Sequence, residues 1–432
     1  MPLKLHPECK ARLVSFLEEQ LPSLKVNRRR FVDYHSAASL EAADEILPKG
    51  GLLRARLADF IDDHPFFEFA VDSIGRTLLA TETYRLESEA EPLGSHDAFM
   101  NMSLAAHNIV EAFESLPWSY VHTFQMPKAL SEQLAPLVSE VGLSSAIKLI
   151  RADDSFISKH PLSTENDRIN ETLGVGSLLW RQMPEWDKNI FYFQVRADGY
   201  VTQYGSAKTS SDAEEIFKSF LGLAISLRLF RRHHAFSSYA LKDRVYVHKF
   251  AGSKWAIDTK YELNSDFSEV MSQIVLDPLD EIIKDDEQAK KNWVLFNLRK
   301  IMMCFANSDK AKRVLSASRW LFDSRIGRNE LLAFVQTMVA LEILLGDKEK
   351  SDLLGLNELL RNRCAYLIGK SQTQRDKILK EFTEIYDVRS QIVHRGKSRL
   401  NSRERRQFFT LQWMCARVIH EEVELLEKDV KA

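Results

Sequence analysis

The sequence predicts an α+β protein, in which a mixed α/β N-terminal region with β-hairpins precedes a C-terminal all-α helical bundle. Aromatic and β-branched runs between turn residues recur up to residue 280, whereas residues 293–428 show helical periodicity almost throughout. Asp277-Pro278 and the charged run Lys284–Glu287 separate the two patterns. We therefore expect one domain at 1–280, long enough for two subdomains, and a second at 290–432.

Composition narrows the class of protein. The 432 residues are 45% hydrophobic and 28% charged, as in soluble globular proteins, and the net charge of −2 excludes a uniformly basic nucleic-acid binder. The four cysteines form no Cys-x-x-Cys pair, so neither a zinc site nor a disulfide framework is expected. The N-terminus does not resemble a signal peptide, and no apolar run approaches ~20 residues, so we expect a cytoplasmic protein that does not bind membranes.

Local patterns predict the N-terminal elements. Helical spacing occurs at residues 9–22, and aromatic runs around Asp72–Gly75 predict two strands. The Asp198-Gly199 pair between two aromatic runs predicts a β-hairpin, and Ser211 with Glu214 has the spacing of a capping box at a helix start. The two strands around Asp72–Gly75 are expected at 66–71 and 77–84. The other expected elements are a strand at 118–124, helices at 103–116 and 129–152, and a second hairpin at 245–258.

The C-terminal region is predicted to form six helices joined by short turns, at 293–305, 309–322, 328–345, 353–367, 373–394 and 402–428. Such a series predicts a helical bundle. The fifth helix ends on a stretch that contains Arg389 and His394. Arg389 lies on an apolar stripe, where a charge is costly unless it faces a partner, a ligand or a second subunit. The stripe otherwise consists of Phe382, Ile385, Tyr386 and Val393. Gly396 predicts a left-handed cap just past His394, which places this histidine at an accessible helix end.

Arg389-x4-His394 at the end of such a helix resembles the R-x4-6-H motif of HEPN domains. The earlier segment Leu331–Gly346 contains Leu341-Glu342 and is similar to the Ala-Leu-Glu-x-Leu-Leu helix of that family. Over roughly residues 290–432, the chain resembles the ApeA-like branch of HEPN proteins, which is associated with bacterial defence against phage. The resemblance implies a metal-independent endoribonuclease that leaves a 2′,3′-cyclic phosphate. It also implies a homodimer in which two C-terminal domains share one cleft.

These residue types suit RNA cleavage because RNA contains its own nucleophile, the 2′-hydroxyl. A neutral imidazole at His394 can remove that proton, and an imidazolium can protonate the leaving 5′-oxygen. The guanidinium of Arg389 suits a phosphate whose charge builds in the transition state. No metal or other cofactor is expected. Residues five apart on a helix point ~140° apart, so two facing copies or an unwound helix end would bring these groups together.

Four residues are predicted to support this pair. The resemblance implies that Glu342 orients Arg389, and an exposed helix acid is the alternative of equal weight. Ser390, Tyr386 and Asn362 are assigned supporting roles near the motif.

The motif lies in a basic stretch. Between Tyr386 and Thr410 there are seven bases and two acids, which gives a local charge of +5 against −2 for the whole chain. Such a stretch attracts phosphates without reading sequence. The alternative is a solvated helix start that docks the acidic tail at 421–427. Contact with RNA is predicted for Arg395, Lys397, Arg399, Arg403, Arg405 and Arg406. A second basic group, Arg28–Arg30, is interpreted as a solvated cluster, with contact to phosphate or an acidic partner as the alternative.

The N-terminal region is expected to sense an invader, through a phage-derived trigger, or to restrain the nuclease. Activity would then damage host or phage RNA, with tRNA among the expected substrates, and stop phage growth. Two other functions stay open. One is a non-catalytic HEPN module for dimerisation or RNA binding, which the intact motif disfavours. The other is a toxin neutralised by an antitoxin.

Overall fold

The computed structural model describes residues 2–61, 64–82, 89–163, 185–205, 207–233, 243–277, 286–347 and 355–431. Within these ranges the chain is a mixed α/β protein whose β-sheets belong to the N-terminal half, while the C-terminal part is helical. The predicted α+β class is confirmed at this level. None of the described helices combines the length and the apolar character needed to cross a membrane.

A helical unit forms the N-terminal layer. The predicted helix at 9–22 is confirmed as α1, and the predicted helix at 103–116 is confirmed as α5. The unit encloses a core of its own, in which the rings of Phe66 and Phe113 lie 5.0 Å apart. Its helices are α1 (Pro7–Gln20), α2 (Tyr34–Ala37), α3 (Leu52–Ala58), α4 (Pro65–Thr81) and α5 (Met102–Glu114). Its short strands β1 (Lys25–Asn27), β2 (Phe31–Val32) and β3 (Glu91–Pro92) pair in the order β2-β1-β3.

The strands predicted at 66–71 and 77–84 are wrong, because α4 runs through most of this segment. Pro65 occupies the first turn, where its missing N–H is not needed. The Asp44 carboxylate accepts the next two free N–H groups, from Phe66 and Phe67, at 3.0 and 3.1 Å. The helix is buried around much of its circumference, so its aromatic residues show no single stripe. Residues 83 and 84 lie outside the described ranges.

A six-stranded antiparallel sheet forms the central layer, in the order β10-β9-β4-β7-β6-β5. Phe124 lies opposite both Phe193 and Val245, so these side chains share one face. That inner face packs against α8, where the rings of Phe124 and Phe217 lie 4.7 Å apart. The strands are β4 (Trp118–Gln125), β5 (Glu140–Gly142), β6 (Ile147–Arg151), β7 (Phe191–Gly199), β9 (Arg244–Ala251) and β10 (Lys254–Glu262). A separate pair consists of β8 (Phe230–Arg232) and β11 (Ile274–Leu276). The connecting helices are α6 (Lys128–Leu134), α7 (Asp154–Lys159), α8 (Lys208–Ser226) and α9 (Ser265–Ser272).

The structure confirms the strand predicted at 118–124 and the hairpin predicted at 245–258, and corrects three other predictions. Residues 191–204 are not a hairpin, because β7 continues to Gly199 with Asp198 opposite Ser119 of β4. The segment 129–152 is not one helix, because α6 is followed by two short strands. The helix expected at Ser211 begins at Lys208, and no side chain caps it at Ala207, so the predicted capping box does not form.

The six helices predicted for the C-terminal region are confirmed. Four of them begin at a side-chain cap, provided by Asp286, Asn329, Ser371 and Asn401. They are α10 (Glu287–Ala306), α11 (Ser308–Asp323), α12 (Glu330–Leu345), α13 (Leu356–Ile368), α14 (Gln372–Arg395) and α15 (Ser402–Lys431).

One hydrophobic core joins the sheet to the bundle. It extends from the inner face of the sheet through α8 into α10–α15. Where α8 meets α11, Gly222 lies so close to the Ser318 carbonyl that a Cβ at this position would collide with it. The predicted domain boundary falls on 280–290, of which 280–285 lie outside the described ranges, and the apolar core continues on both sides of this segment.

Candidate active site

α14 ends where the sequence predicts. Gly396 has φ of 63° and ψ of 36°, the left-handed conformation that glycine adopts without strain. The N–H of Lys397 donates to the carbonyl of Gln391 at 3.3 Å, which closes the end of the helix. His394 lies in this last turn and is exposed to solvent. Among the described residues, its ring makes no hydrogen bond or ion pair, so both ring nitrogens are available to a substrate.

Arg389 points into the protein, towards α12. Its side chain is 21% exposed, and its Nη2 lies 3.5 Å from Oε1 of Glu342. The guanidinium carbon also lies 5.9 Å from the ring of Tyr386. Burial raises the pKa of the Glu342 carboxyl, and the charge of Arg389 opposes that rise. The arrangement brings Glu342 to Arg389, as the HEPN resemblance implies.

The last turn of α12 is held by two arginines that the sequence analysis missed. Arg313 donates to the carbonyls of Leu344 and Gly346 at 2.6 and 2.8 Å, and Arg363 donates to the carbonyl of Leu345 at 2.7 Å. These bonds satisfy carbonyls that a helix end leaves without partners. A signal was present, since the last turn of α12 contains no basic residue of its own to cap it. The arginines fix the turn next to Glu342.

The two motif side chains point in different directions. Arg389 faces inward and His394 faces solvent, and no hydrogen bond joins them in the described part of the chain. This divergence agrees with the angle expected for residues five apart on one helix. One copy of α14 therefore does not direct both groups at a single phosphate.

The apolar stripe of α14 differs from the prediction at one position. Phe382 and Ile385 are buried, and Val388 continues the buried face. Val393 was predicted to belong to the stripe but is 47% exposed. It lies next to His394 in the last turn, past the point where α14 is covered by other helices.

The other three residues that were predicted to support the motif make fewer contacts with it than expected. Tyr386 is partly buried beside the Arg389 guanidinium. Ser390 and Asn362 are also partly buried. Within the described ranges, neither side chain makes a hydrogen bond to Arg389 or His394, so the structure does not bring them to the motif.

Most of the basic stretch is paired with acids. Besides Arg389, the cations of Lys397, Arg403 and Arg405 form ion pairs with Glu404, Glu384 and Glu330, at 2.9, 3.0 and 3.0 Å. The local charge of +5 is thus offset by three acids from outside the stretch, namely Glu330, Glu342 and Glu384. The exposed cations without an acidic partner, within the residues described, are Arg395, Arg399 and Arg406.

The acidic tail does not dock on this stretch in the ion pairs that the structure shows. Glu421 pairs with Lys370 and Arg417, at 3.2 and 2.7 Å, and Glu424 pairs with Lys300. The second basic group is partly paired as well, since Arg29 lies 3.0 Å from Glu82. These pairings leave Arg395, Arg399 and Arg406 without an acidic partner in the described ranges, and Arg395 follows His394 directly in the chain.

Comparison of the chain with protein-family models, with curated proteins and with solved structures finds no match in any of the three. The resemblance to HEPN domains stays a prediction that depends on the residues of this chain. The geometry relevant to it consists of the Glu342–Arg389 contact, the exposed His394 and the Gly396 cap. Within the described ranges, no group of three or more His, Cys, Asp or Glu residues is placed to hold a metal ion.

Proposed function

We propose that the chain is an endoribonuclease of the HEPN type that cleaves RNA without a metal ion, with His394 and Arg389 as its catalytic residues. The observation that supports this proposal most strongly is the environment of the His394 side chain. It is exposed, has no hydrogen-bond or ion-pair partner among the described residues, and lies at a helix end next to Arg395, which pairs with no acid in that part of the chain. A histidine whose two ring nitrogens are free can form hydrogen bonds to a bound substrate.

The proposed reaction is a transesterification. His394 takes the proton of a 2′-hydroxyl, and the 2′-oxygen forms a bond to the adjacent phosphorus. The bond from phosphorus to the 5′-oxygen breaks, and this oxygen receives a proton from an imidazolium. The products are a 2′,3′-cyclic phosphate and a 5′-hydroxyl. Arg389 donates to the non-bridging oxygens, whose charge rises in the transition state.

The proposed active form is a homodimer through the C-terminal bundle. Arg389 and His394 diverge within one chain, so a shared cleft would let one copy supply the arginine and the other the histidine. Exposed apolar side chains on the helices near the motif support this pairing. They are Val393, at 47% exposure, and Phe409 and Trp413 one turn apart on α15, at 69% and 55%.

The proposed role is defence against phage in the cytoplasm, in which cleavage of host or phage RNA, such as tRNA, stops phage growth. The N-terminal region would receive a phage-derived trigger. The shared core supports such a link, because the sheet and the bundle do not pack as separate units.

One observation favours a second candidate function. Arg389 is engaged by Glu342 and three further bases of the stretch are already paired. A non-catalytic HEPN module that dimerises or binds RNA would need no free arginine at this position.

The decisive experiment incubates the purified full-length chain with RNA in excess EDTA and maps the cleavage ends. The nuclease proposal expects 2′,3′-cyclic phosphate ends with the wild type and about 10²–10³-fold slower formation of these ends with Arg389→Ala. Loss of activity in EDTA that magnesium or manganese restores would contradict the mechanism. RNA binding with no cleavage by the wild type would support the non-catalytic module.

The shared cleft is tested by mixing two inactive variants, Arg389→Ala and His394→Ala. If each site takes its arginine and its histidine from different chains, heterodimers regain part of the activity. A wild-type chain that is fully active as a monomer would reject the dimer.

A further inference from the structure

A large cavity lies on the outer face of the six-stranded sheet, turned away from α8 and the bundle. Its volume is about 1200 Å³, above the ~300–1000 Å³ of most ligand pockets. Val121, Gln194 and Ile257 form its floor, and α7 forms one wall. The nuclease proposal makes no use of this cavity.

The cavity has an aromatic wall. Phe250 and Trp255 lie opposite each other on β9 and β10, with ring centroids 5.1 Å apart at 58°. Phe250 is 43% exposed, so part of its flat surface is open to the cavity. Aromatic side chains in this setting stack on the bases of single-stranded nucleic acids without regard to sequence.

Cations lie next to that wall. The guanidinium of Arg196 is 6.0 Å from the centre of the Trp255 ring. Lys159, in the last turn of α7, also lines the cavity. Both side chains are exposed, and neither has an acidic partner among the residues described. A cation beside an aromatic surface suits a ligand that combines a ring with a negative charge.

The acids of the lining are already occupied. Glu140 pairs with Lys148 at 3.0 Å, and the carboxylate of Asp153 accepts the N–H of Phe156 at 2.7 Å. The lining contains four cations, namely Lys148, Lys159, Arg196 and Lys254, against these two acids. Its net charge is therefore positive, and the cavity attracts anions rather than cations.

The floor offers a polar group for recognition. Gln194 is buried, and its amide donates to the hydroxyl of Thr123 at 3.2 Å. No other hydrogen bond of this side chain occurs in the described part of the chain, which leaves its oxygen and second N–H for a ligand. A buried amide with unused groups is costly unless a ligand or water bonds to it.

We infer that this cavity binds a nucleoside phosphate. The base stacks on Phe250 and Trp255, the phosphate bonds to Arg196 and Lys159, and Gln194 bonds to an edge of the base. Free nucleotides and single-stranded nucleic acids both contain this chemistry. The inference does not depend on the proposed nuclease activity.

The test measures the binding of a labelled single-stranded DNA of about eight nucleotides, a length within the usual site sizes, by fluorescence anisotropy on the full-length chain. DNA lacks the 2′-hydroxyl and is not consumed by the proposed reaction. We expect Trp255→Ala and Arg196→Ala each to weaken binding about tenfold. Tyr204→Ala and Lys260→Ala are matched controls, because they remove an exposed aromatic ring and an exposed cation outside the cavity.

Three further measurements make the outcome decisive. Thermal unfolding shows whether each variant is folded, and Trp255→Phe, which keeps a ring, should retain most of the binding. Competition by AMP identifies a free nucleotide as the ligand, whereas competition only by longer strands identifies single-stranded nucleic acid. The inference is overturned if neither probe binds, if both cavity variants bind as the wild type does, or if polyglutamate of equal length competes equally well.

Discussion

Three of the described histidines show two opposite environments. His394 lies on the last turn of α14 in contact with solvent. His160 and His248 lie against the outer face of the sheet, where their rings are 5.3 Å apart and both are buried. Burial lowers the pKa of each of these two to about 4, and for His160 the neighbouring His248 adds to the effect.

This contrast distinguishes a histidine that is a candidate for catalysis from histidines that have a structural role. A histidine with a pKa of about 4 is neutral at pH 7, and His248 uses a ring nitrogen to bond the carbonyl of Pro161 at 3.0 Å. The ring of His248 therefore has a structural role. His394 is exposed, and its ring makes no hydrogen bond to any residue in the described ranges. Burial therefore decides which histidines are candidates for catalysis, before any family resemblance is considered.

The sharpest test of this contrast compares substitutions in the two environments. His394→Ala should reduce RNA cleavage by ~10²–10⁴-fold, the usual contribution of a general acid or base, and leave the melting temperature unchanged. His248→Ala should lower the melting temperature, because a buried side chain is lost, and the remaining folded protein should cleave normally. Both activities are measured with the same RNA under single-turnover conditions. Cleavage by His394→Ala at the wild-type rate would end the nuclease assignment.

The next largest effect concerns the Glu342–Arg389 pair. Arg389→Ala should reduce cleavage by about 10²–10³-fold, as the loss of a charged donor to a transition state does elsewhere. Glu342→Gln should cause a smaller loss, because it leaves the guanidinium in place and removes only its orienting charge. Single-turnover rates of the two variants show which substitution reduces cleavage more. A larger loss for Glu342→Gln than for Arg389→Ala would show that the carboxylate itself acts on the substrate.

The buried histidines predict how stability depends on pH. Their pKa is about 4 when folded and near 6.5 when unfolded, and His122 behaves in the same way. The unfolded chain therefore binds protons first as pH falls, so stability is complete above pH 6.5 and declines towards pH 4. Melting temperatures at pH 7 and pH 5 measure the decline. His160→Phe removes one such group and should reduce the difference; an unchanged difference would mean that His160 does not contribute.

The smallest expected effect concerns the salt dependence of RNA binding, in which the paired and the unpaired cations of the basic stretch should differ. Replacing Arg395, Arg399 and Arg406 by Gln should reduce the salt dependence of RNA binding by about 2 in log–log slope, at ~0.7 per phosphate contact on a single strand. Replacing Arg403 and Arg405 by Gln should change it less, since Glu384 and Glu330 already neutralise them. Binding to uncleavable RNA at several salt concentrations measures both. Equal slopes would mean that the ion pairs open when RNA binds.

The C-terminal helices could be predicted because their signals are local. Asn329 and Ser371 cap the helices that follow them, and Gly396 ends α14, so residues next to each boundary define it. The contact of Glu342 with Arg389 spans two helices, and only the family resemblance suggested it.

The N-terminal errors arose where distant contacts decide the local structure. Around Asp198-Gly199, β4 pairs with β7 up to Gly199, and the hydroxyl of Thr209 then accepts the N–H of Tyr200 at 3.2 Å. The hydroxyl of Tyr200 donates to Asp72, which draws the next residues away from the sheet. A turn sequence cannot reveal these partners. The paired state of Arg403 and Arg405 was invisible for the same reason, because their acids belong to other helices.

The close approach of Gly222 to Ser318 has a consequence for how this protein can be divided. Cutting the chain near residue 286 would strip α11 of the helix that covers it and expose apolar side chains that the intact protein keeps dry. The C-terminal bundle is therefore poorly suited to fusion with a different N-terminal sensor domain. A recombination event that replaced the N-terminal part would also have to supply a helix with glycine at the position where α8 crosses α11. We therefore expect the N-terminal and C-terminal parts of the chain to be inherited together.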